Sequence, residues 1–185
     1  MIQAIVNRKH STLLALVMLS LPVVSFAQPT PDELMDRLRS ANGDEAKRIA
    51  QEVEMAWSRS GSPAMDLLLK RGREAIQKGD FAAAVNHLTA LTDHAPDFAE
   101  GFHARAEAYF RLELYGPALD DLEIALALNP QHYEAIFGLG VMFQEFGRLR
   151  DAADLYRRVL TLHPNHENAA NALSRLKRDG IGREL

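Results

Sequence analysis

Large apolar positions recur at one fixed interval along the middle of the chain. One such position holds Leu88, Leu122 and Tyr156, and another holds Phe81, Tyr115 and Leu149. A unit of roughly 34 residues accommodates two helices of about 12 to 14 residues and two turns. The pattern therefore predicts a series of helix pairs rather than strands.

Small residues and prolines keep the same period without insertion or deletion. Their positions are Gly72, Ala106 and Gly140, then Ala84, Ala118 and Ala152, and finally Pro96, Pro130 and Pro164. Small side chains let paired helices approach closely, and proline ends the second helix because it has no N–H and clashes with the preceding turn. Five markers in phase predict three repeats.

Polar residues that follow the prolines are expected to start each next helix. Asp97, Gln131 and Asn165 come directly after the prolines. We predict that they act as N-caps, with Gln131 the weakest. Glu100 and Glu134 lie three residues further on, where a capping box places an acid.

This pattern resembles the tetratricopeptide repeat (TPR), and the resemblance covers 102 of 185 residues. It divides the chain into TPR 1 at 65–98, TPR 2 at 99–132 and TPR 3 at 133–166. The resemblance implies an all-α, right-handed α-solenoid of three helix hairpins. Three departures from the family pattern suggest local looseness: Ala75 replaces an aromatic residue, Glu113 replaces a turn glycine, and Arg71 and Arg105 occupy a usually apolar position.

Two flanking segments extend the helical region. Residues 28–64 predict an N-terminal helical hairpin, beginning with a capping box at Thr30 and Glu33. Its only tryptophan, Trp57, is expected to pack against the first repeat. Residues 167–178 predict a capping helix whose polar side closes the solenoid, and 179–185 predict a flexible tail.

Residues 1–27 have the pattern of a secretory signal peptide. Arg8 and Lys9 precede a mostly apolar run of about fifteen residues, which ends in Ser25-Phe26-Ala27. The run is short for a membrane span, which needs about 20 residues; an uncleaved anchor is the alternative. We predict cleavage after Ala27, a periplasmic location and no stable membrane anchor thereafter. Loss of two basic residues would change the net charge from -4 to -6, which disfavours nucleic-acid binding.

Candidate chemistry is sparse. His163 and His166 flank Pro164, and His132 is the counterpart of His166 one repeat earlier. Histidines at such turns are expected to be solvated, so we predict no metal site and no cofactor. The acidic residues Asp120, Asp121 and Glu123 are likewise expected to form a solvated face. No nucleophile elbow, phosphate loop or zinc-protease motif is present in the sequence, so no catalytic residue is assigned.

The TPR resemblance implies a concave groove lined by the first helix of each repeat. The first repeat contributes Leu69, Lys70, Arg73, Ile76 and Gln77. The second contributes His103, Glu107, Phe110 and Arg111. The third contributes Phe137, Val141, Gln144 and Glu145. Some of these residues could instead contact only neighbouring repeats.

The family's lysine–asparagine–arginine clamp for a C-terminal carboxylate is missing, so we reject that mode of binding. Apolar patches (Phe110, Phe137, Val141) and a basic corner (Lys70, Arg73, Arg111) remain. Such a surface suits an amphipathic helix or an extended peptide.

Three functions follow as hypotheses. The first is an exported adaptor that binds another protein or peptide, similar to small periplasmic TPR proteins of Gram-negative bacteria and implying a role in envelope assembly or maintenance. The second is a self-assembling structural protein. The third is a metal-dependent or peptidoglycan-processing enzyme. The sequence leaves the partner and the oligomeric state open.

Overall fold

The computed structural model describes residues 28–178, which form nine α-helices and no β-strand. They are α1 (Pro31–Ser40), α2 (Gly43–Trp57), α3 (Pro63–Gln77), α4 (Phe81–His94), α5 (Ala99–Arg111), α6 (Tyr115–Leu128), α7 (Tyr133–Glu145), α8 (Leu149–Leu162) and α9 (Glu167–Arg178). The predicted signal peptide and tail lie outside the described residues. Within this part of the chain, no helix is long and apolar enough to cross a bilayer.

Three successive helix pairs build the predicted solenoid. Helices α3 and α4, α5 and α6, and α7 and α8 pack against each other, α4 contacts α5, and α9 packs on α8. Glycines mark the closest crossings: a Cβ on Gly72 would lie 2.5 Å from Leu88 Cγ, and one on Gly140 would lie 2.7 Å from Tyr156 Cε1. The all-helical repeat fold is thus confirmed.

The turn inside each repeat requires a left-handed residue. Gly79 (φ 77°) and Gly147 (φ 72°) supply it in the first and third repeats. In the second repeat Glu113 takes this conformation with φ 60°, as the one described non-glycine residue with positive φ. A side chain there costs about 1 kcal/mol, so the sequence departure is accommodated by strain rather than by a different turn.

The predicted caps after the prolines are wrong by one residue. The N-caps of α5 and α7 are Phe98 and His132, not Asp97 and Gln131. At α9 the N–H of Ala169 donates to His166 Nδ1 at 3.1 Å. The intervening residue continues the turn that follows each proline, which moves the start of the helix one position along the chain.

The N-terminal hairpin consists of α1 and α2. Its tryptophan, Trp57, was predicted to pack against the first repeat, and this prediction is wrong. The Trp57 ring stacks on His132 at 4.7 Å and lies 5.2 Å from Tyr133. The side chain of Asn165 donates to the Ala41 carbonyl at 2.8 Å. The hairpin therefore folds back over the third repeat and α9, where its apolar residues join one core with Tyr133, Ile136 and Val159. Burial of the hairpin's apolar side in this shared core stabilises the arrangement.

Arg105 and Asp121 correct two sequence expectations. The Arg105 guanidinium binds both Asp121 carboxylate oxygens, at 2.7 and 2.8 Å, and also donates to Thr92 Oγ1 at 2.6 Å. Asp121 is 3% exposed, so it is buried rather than part of a solvated face. Arg105 links α4, α5 and α6. The arginine at this usually apolar position therefore adds a defined contact, and the expected local looseness is wrong here.

Candidate peptide-binding groove

A buried carboxylate, Glu100, organises the centre of the concave face. Its side chain is enclosed between α3, α5 and the start of α7. Oε1 accepts a hydrogen bond from Arg73 and lies 3.3 Å from His103 Nδ1, and Oε2 lies 2.7 Å from His132 Nε2. We call Arg73, Glu100, His103 and His132 the polar cluster. Glu100 was predicted to belong to a capping box, which is wrong, because it pairs across the repeat boundary instead.

The ring orientation of His132 follows from its role as an N-cap. The backbone N–H of Ala135 donates to His132 Nδ1 at 3.3 Å. Nδ1 must then be the acceptor, so the proton sits on Nε2 and is donated to Glu100. The histidine thus satisfies a free helix N–H and a buried carboxylate at the same time.

The same device recurs one repeat later. His166 Nε2 lies 3.0 Å from Glu134 Oε1, and His166 Nδ1 caps α9. His132 is 1% exposed, His163 8% and His166 5%. The prediction that these histidines are solvated is therefore wrong. The signal that could have found the pairs is the recurrence of a Glu–His separation of 32 residues.

Electrostatics divide the polar cluster into charged and neutral members. Burial raises the pKa of Glu100, but the charge of His103 and the hydrogen bonds from His103 and His132 outweigh it and hold that pKa well below its usual range. Burial opposes charge on His103, yet the Glu100 carboxylate raises its pKa. Burial lowers the pKa of His132, assisted by the charge of His103. The cluster therefore holds an ionised Glu100 beside a neutral His132.

The polar cluster has the donor types of a metal centre. One donor atom each from Glu100, His103 and His132 lie within 4.8 Å of one another, as a metal would require. A metal on His132 Nε2 would force its proton onto Nδ1, which would then face the Ala135 N–H donor. Arg73 also occupies the carboxylate. These residues fit a hydrogen-bonded network better than a metal, and absence of a metal site stays a prediction.

A charged cavity opens beside the polar cluster. Its volume is about 870 Å³, and it lies between α2 and the inner helices α3, α5 and α7. One wall carries Glu54, Met55 and Trp57 from α2, and the opposite wall carries the polar cluster with Glu107 and Glu134. The N-terminal hairpin is therefore one wall of the groove. The sequence reasoning missed this, because α2 was placed against the first repeat.

An apolar cavity adjoins the charged one. It measures about 290 Å³, and its apolar wall includes Phe110, Phe137 and Val141. His103, Glu107 and Glu134 line both cavities. The two cavities are thus connected parts of one groove. The sequence analysis had predicted only separate apolar patches and a basic corner.

The remaining predicted groove residues divide into two sets. Leu69, Lys70, Arg73 and Gln77 line a third cavity, of about 400 Å³, at the first repeat. Gln144 lies elsewhere and accepts a hydrogen bond from Tyr156 Oη at 3.1 Å.

The three cations of the predicted basic corner each contact another residue of the fold. Arg73 is engaged with Glu100. The guanidinium of Arg111 lies over the Phe81 ring, 4.8 Å from its centroid. Lys70 lies 3.8 Å from Glu74. Each cation therefore has its own partner, and whether the groove as a whole binds a ligand stays a prediction.

Paired helices stacked around an open groove define a helical-repeat protein. The chain belongs to the tetratricopeptide repeat family, whose model matches residues 69–121 and 103–167. A TPR repeat-containing protein of Rhizobium etli is 27% identical, over 81% of this chain and 76% of that protein. Human RNA polymerase II-associated protein 3 is 30% identical over 82% of this chain, which spans only 23% of its length.

Solved structures agree with this assignment. The first TPR domain of Spaghetti (RPAP3), bound to the HSP90 peptide SRMEEVD, has 30% identity and a TM-score of 0.60, covering 64% of this chain and 94% of that one. MamA superposes with a TM-score of 0.58 at 24% identity, covering 75% of this chain and 79% of that chain. Because its identity is only 24%, the similarity to MamA supports the fold alone.

Proposed function

We propose that this protein is an exported TPR adaptor, which binds a segment of another protein in its concave groove and serves assembly or maintenance of the cell envelope. The observation that carries the binding role is the connected pair of cavities on the concave face. Two of the similar structures are described with bound peptides, of HSP90 and of HSP70. A groove with apolar and charged parts has the properties by which helical repeats select such segments.

The groove favours this proposal over the two alternatives. A self-assembling protein would be expected to carry its apolar surface on the terminal helices. On α9, however, the apolar residues Ala169, Leu173 and Leu176 are already buried within the chain. An enzyme would need reactive groups free to act, and the polar cluster instead consists of residues that bind one another.

Capture of a partner tests the groove. Crosslinking in the native envelope should recover a partner with the wild-type protein and lose most of it with Val141→Asn, because a buried amide without a partner costs about 1 to 3 kcal/mol. Val141 lines the apolar cavity and forms no polar contact. Arg73 is unsuitable for this test, because its loss would leave Glu100 without that partner.

Ile124→Asn is the matched control, since Ile124 is a β-branched residue, 40% exposed on α6, that lines none of these cavities. It should capture the partner as the wild type does, and both variants should keep the wild-type circular dichroism spectrum. Equal capture by Val141→Asn and the wild type would refute binding in this groove.

Export has a separate test. Protein isolated from the periplasmic fraction should begin at Gln28, because the small residues Ser25 and Ala27 suit signal peptidase. N-terminal sequencing measures this directly. Ala27→Phe places a bulky side chain at the cleavage site and should leave the precursor uncleaved. A chain found intact in the cytosolic fraction would contradict the proposed location.

A further inference from the structure

The connected cavities allow one ligand to reach two chemically different surfaces. Phe110, Phe137 and Val141 provide an apolar wall, and the wall shared with the charged cavity begins at His103 and Glu107. A ligand that fills the apolar cavity therefore places its neighbouring side chains beside the carboxylates. The charge of that region decides which neighbours are favourable.

Carboxylates outnumber guanidinium groups in the charged cavity. Four glutamates and two arginines line it. Glu100 is bound by the polar cluster, and Glu134 is bound by His166. The cavity wall therefore contains two carboxylates that already contact histidines of the fold and two whose partners must be considered separately.

Of the four glutamates in this cavity, Glu54 and Glu107 are the two that contact neither an arginine nor a histidine among the described residues. Glu54, on α2, accepts a hydrogen bond from Tyr133 Oη at 3.2 Å, which brings no positive charge. Glu107, on α5, is exposed and forms no ion pair or hydrogen bond within residues 28–178. They lie on the two opposite walls of the cavity.

The positive groups of the cavity do not offset this charge fully. Arg73 is held by Glu100, whereas Arg59 keeps its charge, because its hydrogen bond of 2.9 Å is to the neutral side-chain amide of Gln28. His103 lies against Glu100 as well. The pKa of Glu54 is raised, first by burial and then by repulsion from the Glu134 carboxylate. The excess of carboxylates over cationic groups and the raised pKa of Glu54 both indicate a negative potential between α2 and α5.

We propose that the groove takes a basic amphipathic segment of its partner, with an apolar side chain in the apolar cavity and an adjacent lysine or arginine between Glu54 and Glu107. This rests on the proposed adaptor function and specifies the partner's chemistry. Opposite charge steers and selects such a segment. An acidic peptide would instead meet two carboxylates that lack a cation.

A matched pair of designed peptides tests the charge preference. Both are fluorescein-labelled amphipathic helices of equal length with leucine at the same positions; one carries lysine at every polar position and the other glutamate. Fluorescence anisotropy with the full-length mature protein should show saturable binding of the lysine peptide and at least about tenfold weaker binding of the glutamate peptide.

Charge-neutral variants locate the site. Glu107→Gln should weaken the lysine peptide about two- to fivefold, the effect of one partly exposed charge pair, and Glu54→Gln with Glu107→Gln should weaken it further. Glu54→Gln keeps an acceptor for Tyr133. Glu123→Gln removes the same charge from an exposed position on α6 and should leave the affinity unchanged, which controls for the acidity of the whole protein.

The outcomes separate this inference from the adaptor function. Equal or tighter binding of the glutamate peptide overturns the basic preference, as does binding of neither peptide. Equal weakening by Glu107→Gln and Glu123→Gln overturns the placement, because it indicates attraction to net charge alone. In each case the Val141→Asn capture experiment still decides whether the groove binds a partner.

Discussion

Replacing Asp121 with alanine is expected to lower the free energy of unfolding by about 3 kcal/mol. The substitution leaves the Arg105 guanidinium without its carboxylate, and removing one partner of a buried ion pair costs about 3 to 5 kcal/mol. We expect the lower end, because the Arg105 side chain remains 14% exposed and keeps its bond to Thr92. Urea denaturation followed by circular dichroism measures the change.

Asp120→Ala is the control for this substitution. Asp120 is the exposed neighbour of Asp121 on α6, and its loss should change stability by less than about 0.5 kcal/mol. The double variant Arg105→Met with Asp121→Leu should recover most of the loss, since no charge is then left buried. If Asp121→Ala and Asp120→Ala unfold at the same urea concentration, the buried pair does not hold these helices together.

Gly72→Ala is expected to lower the free energy of unfolding by about 1 to 2 kcal/mol, although alanine favours a helix over glycine. The new Cβ would lie 2.5 Å from Leu88 Cγ and 2.6 Å from Leu88 Cδ2, and Leu88 is fully buried. Overpacking of this kind costs about 1 to 3 kcal/mol, which exceeds the helix gain of up to about 1 kcal/mol. Thermal and urea unfolding of the purified variant measure the loss.

Gly138→Ala is the matched comparison and should act in the opposite direction. Its Cβ would lie 3.7 Å from Leu122 Cδ2, an ordinary contact, so the helix gain of about 0.5 to 1 kcal/mol is expected to dominate. If Gly138→Ala were destabilised and Gly72→Ala were neutral, the close helix contact would lie at Gly138 rather than at Gly72, which would contradict this structure.

Regular positions of the repeat could be predicted from the sequence because each follows from one local rule. Gly72 and Gly140 are small because a neighbouring helix lies against them. The capping box of Thr30 and Glu33 forms as predicted, with both hydrogen bonds present. Such features depend on residues that are close in sequence or in phase with the repeat, and hydrophobic spacing carries that information.

The charged half of the groove was not predicted, although its Glu–His spacing is in phase with the repeat. Glu100 and His132 are 32 residues apart, and their pairing depends on how one repeat stacks on the next. Trp57 was assigned to the nearest repeat in sequence, but the apolar side of its hairpin is buried at a distant one. Spacing within single helices contains no information about either contact. Asp121 shows the same difficulty, since an acid on an amphipathic helix is indistinguishable from a surface residue until its partner is known.

The return of the N-terminal hairpin to the far end of the chain changes how this protein should fold. The hydrogen bond from Asn165 to Ala41 closes a loop of 124 residues. In an open repeat array each unit depends only on its neighbours, and folding can start anywhere and spread. Here α1 and α2 cannot complete their core until α7, α8 and α9 are available. Because contacts so distant in sequence slow folding, this chain should acquire its complete groove late and lose it in one cooperative step.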